Sequence, residues 1–397
     1  MRILIAGGGI GGLTAALCAA HRGHRVELFE RATAFAEVGA GIQLPPNAMN
    51  VFRALGLDER LASVAFRPEA IEMRMGRTGR AVFQVSLGDR APRRWGAPYL
   101  HIHRADYVSV LAEALQNDPK ISVHLGASVE RFAQTERDVS VELGDGRTVR
   151  GDVLIGADGI RSRVRAQMHG PDDPVFTGNV AWRVVVPMDR LGSLAPDPTA
   201  CAWVGKGRHA VTYRLRRGEL ANFVGVVERD DPADDGWSAR GSREDALRDF
   251  VGWHPVIASI LQAAGADDVY RWALYDRLPL RSWTQGRATL LGDAAHPMLP
   301  FLAQGAAMAV EDAWVLARDL SEPGRSVEQA LQAYQSARLA RTARVQAASR
   351  ANMKTFHRRT LPAQLATYGP MWLAGHVAPW IVRRRLDWLY GHDVTMP

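Results

Sequence analysis

The sequence predicts a mixed α/β (α+β) chain: a doubly wound, mostly parallel sheet, an antiparallel sheet interleaved into it, and helices at the C-terminus. Three observations predict this. The first thirty residues read strand, glycine-rich turn, helix, strand. From Asn179 to Glu228 the chain is a succession of apolar strands (NVAWRVVVP, ACAWV, HAVTYRL, ANFVGVVE) separated by Gly/Lys/Arg turns. Beyond a short apolar run at Ala288–Leu291 the pattern is almost entirely helical. Strands and helices at both ends, with strands alone between them, point to a sheet inserted between two halves of a nucleotide-binding domain.

The N-terminal elements come first. Met1–Ala6 is a short apolar run, followed by Gly7-Gly8-Gly9-Ile10-Gly11-Gly12, an Ala/Leu-rich helix, the apolar run Val26–Phe29 and then Glu30. This is the order of a Rossmann-like dinucleotide-binding unit, with G-x-G-x-x-G between strand and helix and an acid after the second strand. Gly7 suits the tight turn. Gly9 lets backbone approach a pyrophosphate at the helix N-terminus, where free N–H groups and the helix dipole favour anions. Gly12 lets the helix pack close to the strand, and Glu30 stands where a carboxylate accepts from a ribose hydroxyl.

Further along, Val38–Gly56 (VGAGIQLPPNAMNVFRALG) is a Gly/Pro-rich loop entering a helix, a permissive backbone suited to a flat ligand. Glu69–Val85 reads as strands with Gly/Arg turns, Val139–Val149 as a hairpin around Asp145-Gly146, and Gly151–Ile155 as another apolar strand. The tail Leu361–Tyr390 holds Trp372, Trp380 and Trp388, broken by Pro362, Pro370 and Pro379. Those breaks argue against a membrane span, and the expected role is a helical cover on the core, with a dimer surface or interfacial patch as alternatives.

Composition narrows the class. A chain of 397 residues, 47% hydrophobic and 23% charged, reads as two or three globular substructures. Cys18 and Cys201 form no disulfide framework and no metal spacing, so no metal is expected and a reducing, cytoplasmic compartment fits. The apolar N-terminus enters the first strand with no cleavage-type flank, so no signal peptide is expected. The net charge of +7 sits partly late, with Arg338, Arg341, Arg344 and Arg350 at multiples of three. That spacing predicts one solvated helix face rather than a nucleic-acid reader.

Three further clusters carry chemistry. In Asp152–Arg165 (DVLIGADGIRSRVR) an apolar strand runs into Gly156-Ala157-Asp158-Gly159 and a helix start with Arg161, Ser162 and Arg165. In Leu290–Ala313 a strand ends in Gly292-Asp293, and Pro297, Pro300 and Gln304-Gly305-Ala306-Ala307 lead into a helix. Asp293 can accept from a sugar hydroxyl, and the Gly305–Ala307 N–H groups can face a ring carbonyl that gains charge on reduction. Arg104 opens a third helix where it can meet a phosphate or ribityl chain. Asp-Gly and Gly-Asp are also ordinary turn pairs, but the three clusters occur together. Only one nucleotide fingerprint is present: neither Gly39-Ala40-Gly41 nor Gly205-Lys206-Gly207 sits between a strand and a helix as a second one would.

Together, Gly7–Gly12 with Glu30, Ala157-Asp158-Gly159 and Gly292-Asp293 resemble the triple signature of the single-component (group A) flavoprotein aromatic hydroxylases of the p-hydroxybenzoate hydroxylase fold. The resemblance spans about Met1 to Arg350 and lies nearest the salicylate, hydroxybenzoate and hydroxynicotinate branch. It implies bound FAD, NADH or NADPH as a transient co-substrate, and O₂, with oxygen passed from a flavin C4a-hydroperoxide to an electron-rich aromatic ring. It further implies FAD contacts from Gly7, Gly9, Gly12, Glu30, Arg31, Ala40, Gly41, Arg104, Val129, Asp158, Asp293, Pro300, Gly305, Ala306 and Ala307. The implied division is an FAD-binding domain at 1–70, 98–175 and 270–340, a substrate-binding sheet domain at 71–97 and 176–269, and a C-terminal helical segment at 341–397.

The substrate is expected to be a small hydroxylated aromatic acid. The alternatives are a larger apolar ring such as a quinone or polyketide, or a flavin oxidase or dehydrogenase that inserts no oxygen. No nucleic acid or membrane span is expected, and a homodimer is possible. His209 and Tyr213 share one strand face, ~13 Å apart at about 3.3 Å per residue, so they stand as opposite walls of a pocket. The resemblance makes Tyr213 the orienter of a substrate phenol and His209 its proton acceptor; the alternative is a half-buried sheet tyrosine and a satisfied histidine. Two departures from the family pattern matter: Phe301 replaces a polar residue of some relatives, and Ala307 replaces the usual Asn. His296 reads as structural. Arg183 and Arg214 are both candidates for a substrate carboxylate, and neither is singled out by spacing.

Overall fold

The computed structural model describes residues 1–35, 40–230 and 239–396. Among them, the strand Arg2–Ala6 is the centre of a six-stranded sheet. Its neighbours are Val153–Gly156 and then Ala288–Leu290 on one side, Arg25–Glu30 and then Ile121–Leu125 on the other, all parallel. The two-residue strand Thr284–Gln285 closes one edge antiparallel. Ile3, Leu4 and Ile5 are fully buried, as are Val153 and Leu154. Continuous apolar runs such as ILIA suit a parallel sheet because helices cover both of its faces.

The second large sheet has seven strands, in the order Val269–Asp276, Val175–Pro187, Leu220–Glu228, Arg208–Leu215, Ala200–Gly205, Ala70–Met75, Ala81–Ser86. One face carries Val180, Trp182, Val184, Cys201, Trp203, Ala210 and Phe223, packed beneath the helices Arg243–Asp249 and Pro255–Ala263. The other face carries Met73, Ala181, Val204, Val226 and Leu274 and meets Phe301, Phe356 and Tyr368. Strand alternation thus gives the sheet a core of its own on one side and a roof over the rest of the protein on the other. Cys201 lies on the helix-covered face, away from the roof.

The structure corrects four expectations. The inserted sheet is not wholly antiparallel, since Ala200–Gly205 runs parallel to Ala70–Met75. Their connection passes through much of the parallel-sheet half, and parallel pairing needs such a crossover. Val269–Asp276 belongs to this sheet, so it extends past the expected limit at 269. The limit at 340 falls inside one 30-residue helix, Val327–Phe356, started by a Ser326/Gln329 capping box. Nor is the arginine face of that helix solvated. Arg338 is 1% exposed and bonds both Glu311 and Asp312, Arg341 pairs with Glu311, Arg350 with Asp276, and Arg344 stacks on Trp388. Arg338 and Arg341 answer the carboxylates Glu311 and Asp312, buried on the helix Gly305–Leu320.

Of the loop expected at Val38–Gly56, Val38 and Gly39 lie outside the described residues, as does part of the Gly39-Ala40-Gly41 run. The remainder is a strand, Gly41–Leu44, and a helix, Pro46–Ala54. The tail forms the helices Leu361–Val377 and Pro379–Tyr390; Tyr368 and Leu389 are buried, while Trp380 and Val377 are exposed. Among the described residues no helix is long and apolar enough to cross a membrane.

Candidate active site

The three sequence clusters meet at the glycines of the first. Gly7 has φ +105°, and a Cβ there would lie 2.4 Å from the carbonyl oxygen of Ala157. A Cβ on Gly12 would lie 1.9 Å from the Gly7 carbonyl oxygen, and one on Gly11 would lie 2.9 Å from Leu291, beside Gly292-Asp293. Glycine at Gly7 and Gly12 is required by close backbone approach, whereas Gly11 only borders a leucine side chain. Gly9 differs: no protein atom comes within 4 Å of its Cβ position.

That open side of Gly9 faces a helix end built for an anion. The helix Ile10–His21 has Gly9 as N-cap, no side-chain cap and no acid in its first turn. Its first intrahelical bond is from Leu13 N–H to the Gly9 carbonyl, leaving earlier N–H groups free of helix partners. The helix Gly305–Leu320 starts in the same way, with Gln304 as N-cap, no side-chain cap and no acid in the first turn. Gly305 again has open space, with only Met298 Cγ at 3.7 Å from its Cβ position. Two uncapped helix starts, from opposite ends of the chain, therefore belong to helices that pack on each other.

The carboxylates placed around them are distinct in kind. Glu30 accepts from Gly8 N–H at 2.6 Å and from Ala32 N–H at 2.8 Å, so its side chain is held beside the fingerprint turn. Arg31, which follows it, is exposed. Val129 begins the strand Val129–Gln134 as a nearly buried residue, and Ala127 N–H just before it donates to the Glu30 carbonyl at 2.9 Å. Asp158 caps the helix Arg163–His169, its Oδ2 accepting from Arg163 N–H at 2.7 Å and Val164 N–H at 3.2 Å. Its Oδ1 is buried with no partner among the described residues. Asp293 remains open to solvent although protein surrounds it on its other sides. That crowding pushes its carboxyl above the usual carboxylate range, against the pull of His296 and Arg104.

Arg104 opens the helix Arg104–Gln116, and its N–H donates to the Ala40 carbonyl at 2.8 Å. Ala40, Arg104 and Asp293 therefore lie around one cleft. Pro300 starts a short 3₁₀ turn that ends at Ala303 with φ +51°, and this turn aims the Gly305-Ala306-Ala307 helix start. Behind it sits a buried polar cluster. Asn47 bonds Gln304 and Glu311, Arg338 bonds Glu311 and Asp312, and His296 bonds Asp312 at 2.5 Å. His296 thus locks the Gly292-Asp293 turn to the helix, as does the Gly292 N–H donating to Asp312 at 3.3 Å. An orphaned Asp158 oxygen, an open Gly9 and two bare helix starts fit the phosphates and sugar of a dinucleotide.

The roof is the inner face of the seven-stranded sheet. Tyr213 pairs across from Asn222, and a Cβ on Gly41 would fall 2.5 Å from the Tyr213 ring. Asn222 Oδ1 accepts from Gly41 N–H at 2.9 Å. The His101 ring lies 4.6 Å from that of Tyr213; burial holds its pKa down to about 3, so it is neutral. Burial pushes the Tyr213 phenol up, with Arg183 drawing it down, so at neutral pH it is a protonated donor.

His209, four residues back on the same strand, is 2% exposed and packs against Phe301, Phe356 and His357. Its Nδ1 lies 2.8 Å from His357 Nε2, and His357 Nδ1 lies 3.1 Å from Glu228 Oε1. His209 and Tyr213 share a face as expected, but their neighbours differ: Tyr213 faces the Gly41–Leu44 strand, and His209 faces Phe301 and the end of the long helix.

The structure also separates the two arginines that spacing left equal. Arg214 faces away, with Nε and Nη2 on the Pro196 carbonyl at 2.9 and 2.7 Å. Arg183 lies on the inner face, its guanidinium 3.9 Å from the Trp272 ring centroid. Its Nε is buried without a partner, and no acidic side chain pairs with it among the described residues. Burial lowers its pKa to about 10, with Tyr213 raising and Arg104 lowering it, so it stays a cation at neutral pH. Sequence reasoning missed His357 and Glu228 as well. His357 lies at the end of the long helix, and no local pattern announces its contact with a strand 148 positions earlier.

Residues 1–349 match the FAD binding domain family. The chain is 38% identical over 397 residues to 3-amino-4-hydroxybenzoate 2-monooxygenase PtnB3 of Streptomyces platensis, covering 99% of this chain and 96% of that one. It is 36% identical over 396 residues to 3-hydroxybenzoate 6-hydroxylase 1 of Aquipseudomonas alcaligenes, covering 99% and 98%. Among solved structures it resembles Klebsiella pneumoniae HpxO complexed with FAD and uric acid, with TM-score 0.86, 26% identity and coverage of 98% and 96%.

Proposed function

The chain belongs to the FAD binding domain family of single-component aromatic hydroxylases, and we propose that it hydroxylates an aromatic acid bearing a ring hydroxyl or amino group. The reaction class is that of an FAD-dependent monooxygenase using NAD(P)H and O₂. When bound, FAD supplies the redox chemistry: it accepts two electrons from NAD(P)H and activates O₂ for insertion into the ring.

The residues that would hold FAD are those of the cleft. The helix start after Gly9 and the Arg104 cation would take the pyrophosphate, Glu30 and Asp293 the sugar hydroxyls, and the Gly305–Ala307 N–H groups the ring carbonyl. Gly7, Gly12 and Gly41 serve this site through packing that brings other groups close. Arg31, Ala40, Val129, Asp158, Pro300 and Ala306 are assigned as its borders.

One observation carries the substrate class: Arg183 is a largely desolvated cation without a carboxylate, on the same sheet face as Tyr213. A carboxylate of the substrate would complete it with a charge-assisted, bidentate bond. Tyr213, a neutral donor beside Arg183, would orient the substrate from one wall, and His209 would take the proton of the ring hydroxyl at the other. Phe301, Val211 and Val224 would keep water from the ring. Two curated relatives bear names of benzoates with a ring hydroxyl, which supports this reading. We place the protein in the cytoplasm on its two buried free thiols, and assign a homodimer through exposed Leu361, Leu365 and Trp380, to be checked by light scattering.

The test is a panel of salicylate, 3-hydroxybenzoate and 3-amino-4-hydroxybenzoate, each beside its carboxamide, scored for stimulated NADH and NADPH oxidation with peroxide measured alongside. Stimulation by an acid, weak stimulation by its amide and little peroxide are expected. Equal response to acid and amide would remove Arg183 from the assignment, and stoichiometric peroxide with every acid would remove the substrate class.

A further inference from the structure

We propose that His357 and Glu228 form a proton relay with His209, carrying the substrate's proton from beneath the roof to the surface. The inference rests on the reading of His209 as the proton acceptor, and adds the route by which the proton leaves.

The geometry leaves one consistent assignment of hydrogens in the neutral state. His357 Nδ1 faces the Glu228 carboxylate at 3.1 Å, and a carboxylate accepts, so Nδ1 bears the hydrogen. His357 Nε2 is then an acceptor, and His209 Nδ1, 2.8 Å away, must donate to it. With Nδ1 protonated, His209 keeps its free lone pair on Nε2, the opposite edge of the ring, which is the form a general base requires.

Proton movement through this chain balances without any further reagent. A proton taken from a phenol at His209 Nε2 makes that ring cationic, and its Nδ1 proton passes to His357 Nε2. His357 then gives its Nδ1 proton to Glu228, which releases it to water. After release, one tautomeric return of the two rings restores the starting state. Side-chain exposure grades along the chain: His357 is 3% and Glu228 28% exposed. Both line an open groove with Asn179, Asp230, Lys354 and Arg358.

The charges around His357 suit transit rather than storage. Glu228 attracts a proton to it, while burial and Arg359, which also pairs with Glu228, oppose one. His209 is likewise held low, by burial first and by His357 second. Both rings are biased toward their neutral forms, so a second proton arriving at one is passed on.

Stopped-flow mixing of FAD-loaded enzyme with the hydroxybenzoate that proves most active, in weak buffer with a pH-indicator dye, reads the release directly. Glu228→Gln and His357→Ala are each expected to slow proton release by about tenfold or more, with KM little changed. Added imidazole should restore the rate in His357→Ala, because the side chain borders the open groove. Unchanged release in a folded, FAD-loaded Glu228→Gln overturns the relay; should His357→Ala lose its FAD, Glu228→Gln decides alone. His209→Asn separates the two readings. If it slows release while the other variants do not, His209 stands and the relay falls. If it too releases at the wild-type rate, or wild type releases no proton, both fall.

Discussion

The guanidinium of Arg183 lies 3.9 Å from the ring centroid of Trp272, on the face of the seven-stranded sheet that also bears Tyr213. The stack fixes a planar cation in the roof while leaving its edge for a carboxylate. Replacing Arg183 by Met keeps much of the side-chain volume and removes the charge. It should raise KM for an aromatic acid by roughly ten- to hundred-fold, corresponding to the loss of about 1.5–3 kcal/mol from one charge-assisted bond. Steady-state kinetics with the acid and its carboxamide check this, since the amide should lose little.

Gly41 and Tyr213 are in contact where a Cβ cannot fit, 2.5 Å from the ring and 2.7 Å from the hydroxyl. Gly41→Ala should therefore displace the phenol and lower kcat, as Tyr213→Phe should by removing its hydroxyl. An acid–base or orienting group of this kind is worth about a hundredfold or more. The prediction fails if Gly41→Ala, with normal FAD content, turns over at the wild-type rate.

Gly9 and Gly12 lie three residues apart and should respond oppositely to alanine. Gly12→Ala collides with the Gly7 carbonyl at 1.9 Å and should destabilise the protein even without cofactor. Gly9 has φ −72° and open space at its Cβ position, so Gly9→Ala should fold with a loss of at most about 1 kcal/mol at the helix cap. Its FAD affinity should fall clearly, because the added methyl occupies the anion site. Thermal melts of apoprotein and FAD titration separate the two effects.

Arg338 neutralises Glu311 and Asp312 in a fully buried cluster. Burial pushes both carboxyls up, but Arg338, with Arg341 at Glu311 and His296 at Asp312, outweighs it and holds both below their ordinary values. Arg338→Met should cost about 3–5 kcal/mol in denaturant unfolding, since it strands buried charge. The pH sign follows. A carboxylate with a depressed folded pKa contributes stability above its unfolded value and loses it as pH falls through the folded one. Wild type should therefore lose stability below about pH 4, and Arg338→Met should show a flatter acid limb.

What could be read along the chain was what depends on near neighbours. The strand–turn–helix of Arg2–His21, the hairpin around Asp145-Gly146 and the inserted strands from Asn179 all declare themselves in periodicity and turn residues. The glycine turns and the acids at strand ends were legible for the same reason, because each is set by residues adjacent in the chain. One misreading and one open choice share a cause, the lack of long-range register in a local pattern. The arginines on the Val327–Phe356 helix looked solvated because spacing gives a helix face but not what covers it. Arg183 and Arg214 stay undecided in the sequence because alternation turns Arg214 away from Tyr213 but cannot relate Arg183, on another strand, to that face without the register.

The sequence by itself determined the strand–turn–helix start of the parallel half and the strands of the inserted sheet, because propensity, turn chemistry and alternation act within a few residues. Only the tertiary structure decided that Gly7 touches Ala157, that Arg183 rather than Arg214 enters the roof, and that His209 meets His357 across 148 positions. Those contacts arise from how two sheets and a long helix close on one another, and burial, charge pairing and pKa exist only once that closure has excluded water.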